Sequence, residues 1–379
     1  MTPVAEAPLL ETYARAGVTF ERGDGAWLVD GNGRRYLDFC GGIAVVGLGH
    51  CHPAPLAAAR GQLDLLWHVS NLYWTRPMAE LAHTLSELFG GAQAFFCNSG
   101  AEAIEAAIKY ARKATGKTGI VALEGSFHGR TAGALAVTGQ PGKRAAFEPL
   151  LSGVSFARVN DIASLRATVT PHTGLILIEP VQGEGGVHPI SKEFAQAAEQ
   201  LAGELGALLC VDEVQTGAGR TGTFFAFEDL EVRPHLVTLA KGLANGLPIG
   251  CLLVADEAAG AFEVGDHAST FGGNPVVCAA ALAVCETLDD ELLAHVRETG
   301  GQLASGLRGL PHVREVRGKG LLLGAELAAA AGPVIDRSLD AGLLVSSAGP
   351  SVLRLTPPLV VEPAEIHLCL SILKEVLSP

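Results

Sequence analysis

Lys241 is the one charged residue in "LAKGLANGLPIG", residues 239–250, and it follows the strand-like run "HLVTL". Its flanks, Ala240, Gly242 and Leu243, supply neither bulk nor counter-charge. A lysine at a strand edge ordinarily snorkels to water. Deprived of water, it has a lowered pKa and becomes a nucleophile able to form a Schiff base. Asp212 closes the apolar run "ALLCV". A carboxylate there either caps the next turn or holds the ring nitrogen of a pyridine cofactor protonated, making that ring an electron sink. Val214 and Gln215 follow at spacings that place an apolar contact and an amide beside the same ring.

A third element is "NSGAEAIEAAIKYARK". Ser99 and Glu102 have the spacing of a capping box, and Ile104, Ala107, Ile108 and Ala111 form one apolar stripe. The plain reading is a capped core helix. The chemical reading is that Gly100 lets a phosphate approach the free N–H groups of Gly100 and Ala101 at the positive helix end. No Lys follows as in a Walker A loop, so a nucleoside triphosphate is disfavoured. Phosphate site, ring-nitrogen acid and Schiff-base lysine together point to pyridoxal phosphate.

Arg130 follows "SFHG", and Arg354 breaks the apolar run of "LRLTPPL". An unpaired guanidinium in such a run is costly, and a substrate carboxylate satisfies it in a bidentate fork. An ordinary ion pair does the same, and Glu184 in "VQGEGG" is placed to mask one arginine when a substrate lacks a second carboxylate. A rival motif, "GAGRTG" at 217–222, has the form G-x-G-x-x-G of a nicotinamide-binding loop. It begins several residues after its strand, opens no amphipathic helix and lacks the ribose-binding acid about 20 residues on. "GHCHP" has the look of a metal site, but its His pair stands alone, so a turn entering a helix at Pro53 is expected, with no metal.

The elements that position these residues are visible as short apolar runs ending in polar, Gly-rich turns: "AQAFFCNSG", "GIVALEGSFHG", "GLILIEPVQGEGG", "GALLCVDEVQTG" and "HLVTLAKG". Helical patterns lie between many of them. This alternation predicts an α/β fold with a mainly parallel central sheet. Ligands in such sheets bind beyond the carboxyl ends of the strands, where Ser99, His128, Glu184, Asp212, Gln215 and Lys241 lie. An N-terminal segment, 1–45, with a hairpin turn at Asp30–Gly33, is expected to pack with a smaller α+β lobe formed by 276–379. Residues 46–275 form the large domain.

Composition narrows the partners. The chain has 379 residues, 48% of them hydrophobic and 18% charged, and its net charge of −13 repels nucleic acid and anionic lipid. No run approaches the roughly 18 apolar residues that span a bilayer. The start, "MTPVAEAPLLETYARAG", lacks a basic region and an apolar core, so no signal peptide is expected. The Cys residues show no CxxC pair, and the expectation is a cytoplasmic protein with reduced thiols, Cys278 and Cys285 sharing a buried helix face.

These motifs, with "STFGGNP", resemble the class III, ornithine-type pyridoxal-phosphate aminotransferases of fold type I. The likeness runs from "YLDFCGGIAVVGLGHCHP" nearly to the C-terminus. Within the class, that stretch, "HVSNLYWTRP" and "LRLTPPL" are most similar to acetylornithine aminotransferases. The resemblance implies that Lys241 carries the cofactor and shuttles a proton, that Asp212 meets the pyridinium nitrogen, and that Gln215 meets the phenolic oxygen. It implies that Phe127 and Val214 sandwich the ring beside His128. Ser99, Gly100 and Ala101 would form the phosphate site, joined by Thr270 from the neighbouring subunit of a homodimer. Arg130, with Ser269 nearby, would take the donor's carboxylate. Arg354 would grip a glutamate carboxylate, and Glu184 would cover Arg354 between turns. Ile43 stands where ornithine aminotransferases show Tyr, which favours an acylated amine. The implied reaction joins N2-acetyl-L-ornithine and 2-oxoglutarate. The alternatives are succinylornithine, a carrier-linked lysine or ornithine, free ornithine or 4-aminobutyrate as donor, a cofactor-holding protein without turnover, and, remotely, a nicotinamide oxidoreductase.

Overall fold

The computed structural model describes residues 7–378. The first six residues, on which the reading of the N-terminal stretch partly rests, lie outside them. The core is a seven-stranded sheet in the spatial order Ala92–Cys97, Gly250–Ala255, Leu236–Leu239, Leu208–Asp212, Thr173–Ile178, Gly119–Leu123, Val154–Ala157. Only Gly250–Ala255 runs against the rest, pairing antiparallel with both of its neighbours. Strands Thr173–Ile178, Leu236–Leu239 and Gly250–Ala255 are buried along their whole length. Continuous apolar runs of this kind are what a sheet covered on both faces requires.

Helix Gly100–Thr115 packs Ile104, Ala107, Ile108 and Ala111 into this core. Ser99 caps it by accepting the Glu102 N–H at 3.2 Å. The expected reciprocal arm is shifted by one residue: the Glu102 carboxylate accepts from the backbone and side-chain N–H groups of Asn98, not from Ser99. Gly116, at φ +68°, ends the helix, and Arg112 and Lys113 in its last turn complement the negative end of the dipole.

A second, antiparallel sheet joins Val313–Lys319, Leu322–Leu327, Val352–Leu355 and Ser346–Ser347. The N-terminal hairpin pairs Trp27–Asp30 with Arg35–Asp38, and Asp30 Oδ1 accepts from the Asn32 and Arg34 amides to hold its turn. Leu343–Leu344 then adds to Arg35–Asp38 in parallel, tying the chain's beginning to its last hundred or so residues. "GHCHP" is a turn in which His52 caps helix Pro53–Leu63 and His50 Nε2 lies 2.8 Å from Asp38. Cys278 and Cys285 are buried in helix Pro275–Thr287. No helix of the described residues is long and apolar enough to cross a membrane.

Candidate active site

Five parallel strands of the central sheet deliver their carboxyl ends to one cavity of about 340 Å³. Its lining includes Asn98, Ser99, Gly100, Ala101, Phe127, His128, Glu179, Glu184, Asp212, Val214, Gln215 and Lys241. The convergence follows from topology: side chains just past adjacent parallel strands must share one edge of the sheet.

Lys241 begins a short 3-10 turn, Lys241–Ala244, after strand Leu236–Leu239. Its φ of +43° places a lysine in the left-handed region, a strained conformation that surrounding structure must hold. Among the described residues its ammonium group has no hydrogen bond or ion pair. Burial draws its pKa below the ordinary lysine value, against the pull of Glu184 and Asp212. The result is an amine more readily deprotonated than a surface lysine.

Asp212 is buried, and its two oxygens are spent in different directions. Oδ1 accepts from Thr238 Oγ1 at 3.0 Å and from the Val214 N–H at 3.0 Å, while Oδ2 lies 2.6 Å from His128 Nδ1. Burial opposes a charge on His128, but the Asp212 hydrogen bond and charge outweigh it and raise the histidine pKa. His128 Nε2, sealed from solvent, has no partner among the described residues. Glu179 is also buried, with Oε2 accepting the Phe127 N–H at 3.1 Å. Burial pushes its pKa to about 8.

Glu184 lines another wall, and Arg354, buried beside it, is its ion-pair partner. Its Nη1 also donates to the Gly183 carbonyl at 2.9 Å, and its Nε to Ser346 Oγ at 3.1 Å. Gln215 reaches both members of the pair, at 3.3 Å to Glu184 and 3.4 Å to Arg354. Burial favours a neutral Glu184, yet the Arg354 charge prevails and its pKa falls below the ordinary value. Arg130 is exposed, with its guanidinium carbon 5.6 Å from the Phe127 ring centre. Ser269 Oγ accepts from Asn98 Nδ2 at 3.1 Å, beside the cavity. Thr270 is exposed and does not line its own chain's cavity.

"GAGRTG" forms no nucleotide cradle. A Cβ on Gly217 would meet Leu239 Cδ2 at 2.7 Å, and one on Gly219 would meet Leu288 Cδ2 at 2.8 Å, so these glycines exist to admit apolar packing. Arg220 is buried and donates to the carbonyls of Leu321 and Pro357.

Residues 11–377 match the family described as Aminotransferase class-III. The chain belongs to the class III aminotransferases. It is 49% identical to the acetylornithine aminotransferase of Gloeobacter violaceus, over 98% of this chain and 96% of that one. To the acetylornithine aminotransferase of Halalkalibacterium halodurans it is 50% identical, over 98% of both chains. It superposes with a TM-score of 0.92 on the ornithine aminotransferase from Toxoplasma gondii, at 30% identity and covering 98% of this chain and 92% of that one. The N-acetylornithine aminotransferase from Stenotrophomonas maltophilia gives 0.84 at 36% identity, covering 96% of each. The architecture is that of the fold type I pyridoxal-phosphate-dependent transferases, and the chain is an aminotransferase of this class.

Class membership implies pyridoxal 5'-phosphate, and the cavity suits it. The Gly100 and Ala101 amides have no acceptor within the described residues and sit at the positive end of a four-turn helix. A Cβ on Gly100 would meet Val214 Cγ1 at 2.7 Å, so bare backbone is kept at this point. Asp212 is a buried acid able to oppose a ring cation, and Lys241 is an unpaired amine in the same cavity.

Proposed function

We propose that this chain transfers the distal amino group of N2-acetyl-L-ornithine to 2-oxoglutarate, forming N-acetyl-L-glutamate 5-semialdehyde and L-glutamate, a step of arginine biosynthesis. The observation that carries this reading is the pair of guanidinium groups, one free and one covered. Arg130 has no ion pair among the described residues, whereas Arg354 is held by Glu184. A donor with one carboxylate needs only Arg130. A dicarboxylate acceptor displaces Glu184 and takes Arg354 as well, so one pocket serves both half-reactions. The relatives named acetylornithine aminotransferase support the choice of donor.

Bound pyridoxal 5'-phosphate supplies the carbonyl that receives the donor's amine and a ring that spreads the negative charge of the deprotonated carbon. Lys241 Nζ would anchor the group and, when free, would serve as the base that moves a proton. Asp212, oriented by Thr238 and His128, would pair with the ring nitrogen and favour its protonated form. Ser99, Gly100 and Ala101 hold the phosphate. Phe127 and Val214 would hold the ring between them, Gln215 would serve its phenolic oxygen, and Ser269 would serve the donor's carboxylate.

A homodimer completes this reading. Thr270 is exposed in its own chain, and in such a dimer it would add a contact to the phosphate held by the neighbouring subunit. Leu65, Trp67, Leu72, Tyr73, Trp74 and Phe271 are exposed. So many large apolar side chains call for cover by another surface.

Lys241→Ala tests the assignment. The purified variant should lose the visible absorbance of the bound cofactor and all turnover of acetylornithine; retained turnover would falsify it.

A further inference from the structure

Beside Arg130 stands a second cation that the proposed reaction does not yet use. Lys143 Nζ lies 5.4 Å from the centre of the Phe127 ring, and Arg130 Cζ lies 5.6 Å from the same centre. Phe127 lines the cavity, and Arg130 lines a neighbouring groove, so both charges flank the cavity from behind Phe127 without lining it. Neither has a carboxylate within ion-pair distance among the described residues. Lys143 Nζ donates to Gln140 Oε1, a neutral acceptor. The nearby acids are already engaged. Glu105 Oε1 accepts from Thr131 Oγ1 at 2.6 Å and from the Gly133 and Ala134 amides, and Glu184 is held by Arg354.

Like charges repel, and the repulsion is felt here. Burial, then the Arg130 charge, draws the Lys143 ammonium below the ordinary lysine value. In a chain of net charge −13 an uncompensated pair of cations is not a consequence of composition. It is a local positive field one side chain removed from the cavity that holds Lys241.

We propose that Lys143 is a specificity-determining residue that acts with Arg130 on the end of the amino donor remote from the reacting amine, selecting donors whose remote end is an anion. This rests on the donor reading above and deepens it. In free ornithine the remote carboxylate is accompanied by an α-ammonium, so the remote end carries no net charge and its cation is repelled. Acylating the α-nitrogen removes that cation and leaves one negative charge. An acyl group that itself bears a carboxylate leaves two. The two cations therefore discriminate by charge, without needing a tight pocket for the acyl group.

The test compares wild-type holoenzyme with Lys143→Gln and Lys143→Arg. Single-turnover reactions are followed with ornithine, N2-acetylornithine and N2-succinylornithine. Equilibrium binding is followed with N2-acetylnorvaline, which has the remote end but no distal amine. Wild-type efficiency should rise in that order of donors. Lys143→Gln should lower the acetylornithine-to-ornithine ratio about fivefold and weaken N2-acetylnorvaline binding similarly, the scale of one partly screened charge pair. Lys143→Arg should restore both, and added salt should compress the wild-type ratio. Equal melting temperatures and cofactor absorbance show that the variants are intact. If wild type reacts with acetylornithine but Lys143→Gln leaves the ratio and the binding unchanged, the role of Lys143 is overturned. If wild type does not react with acetylornithine, the donor reading fails instead, and N2-acetylnorvaline binding still decides: weaker binding by Lys143→Gln supports the charge selection, and equal binding overturns it.

Discussion

His128 Nδ1 and Asp212 Oδ2 stand 2.6 Å apart with both side chains buried, so an acid at the end of one strand is oriented by a histidine at the end of another. Because its pKa is raised above the ordinary value near 6.5, His128 binds its proton more tightly in the folded chain than in the unfolded one. The pair's stabilisation is therefore complete below about pH 6.5 and fades as pH rises through the raised folded-state value. His128→Gln keeps a hydrogen-bond donor and removes the titration. The melting-temperature gap between wild type and this variant, measured on cofactor-free protein, should be widest in acid and narrow toward alkaline pH. A gap that stays constant with pH would remove His128 from this role.

Glu179 titrates in the opposite chemical sense with a similar pH trend. Burial lifts its pKa from about 4.5 to about 8, so the folded chain holds a proton that the unfolded chain releases. Stability is thereby lost progressively as pH rises from about 4.5 through about 8. Glu179→Gln preserves an acceptor for the Phe127 N–H and abolishes the titration. The variant should melt higher than wild type at pH 8 to 9 and lose that advantage below about pH 5. Identical pH curves would show that Glu179 is charged in the fold.

Glu179 also shows where sequence reasoning stops. Lys241, Asp212, Ser99 and His128 were legible because strand-length apolar runs alternate with helical patterns, and a parallel sheet must gather the residues that follow its strands. Glu179 has the same signal, being the first polar residue after "GLILI", but the Gly-rich loop beyond it makes Glu184 the more conspicuous acid. Thr238 lies inside an apolar run and reads as strand filler, although it holds Asp212. Lys143 sits in a stretch without periodicity, and its neighbour across the ring is set by tertiary structure alone. The left-handed backbone of Lys241 is equally hidden, since lysine carries no preference for positive φ. The shifted capping arm shows the same limit: spacing placed Glu102 at the helix start but not which amide it would choose.

Gly100→Ala probes the phosphate end. The new methyl group would stand 2.7 Å from Val214 Cγ1 and 2.8 Å from Cγ2, so either the helix start or Val214 must move. Overpacking of this kind costs about 1–3 kcal/mol. Because both Val214 and the first-turn amides border the cavity, cofactor affinity should fall at least as much as stability, by about tenfold or more. A cofactor titration with wild-type affinity would show that the helix start is not the phosphate site.

Arg220 is where the rejected nucleotide motif has its structural meaning. Its Nη1 donates to Leu321 and Pro357 carbonyls, and Leu321 N donates back to the Arg220 carbonyl at 3.1 Å. Removing the guanidinium in Arg220→Met leaves buried acceptors unmet, costing about 3 kcal/mol. Pro357 lies just beyond Arg354 on the same segment, so the loss should also raise KM for 2-oxoglutarate more than KM for the amino donor. A thermal shift without a change in that ratio would confine Arg220 to stability.

Glu184→Gln separates the two carboxylate tasks. The substitution keeps the shape of the side chain and removes the charge that neutralises Arg354. On the proposed reading, a dicarboxylate must displace an ion-paired carboxylate before it reaches the guanidinium, and a monocarboxylate donor meets a wall already neutral. With glutamine the competition weakens, so glutamate and 2-oxoglutarate should bind more tightly, by about fivefold to tenfold for one charge-assisted pair. The donor meets the reverse: an unmasked Arg354 draws its single carboxylate away from Arg130 and into unproductive poses. The ratio of single-turnover efficiency for glutamate over acetylornithine should therefore rise about tenfold. If both half-reactions change by the same factor, Glu184 is a structural partner of Arg354 and does not select between substrates.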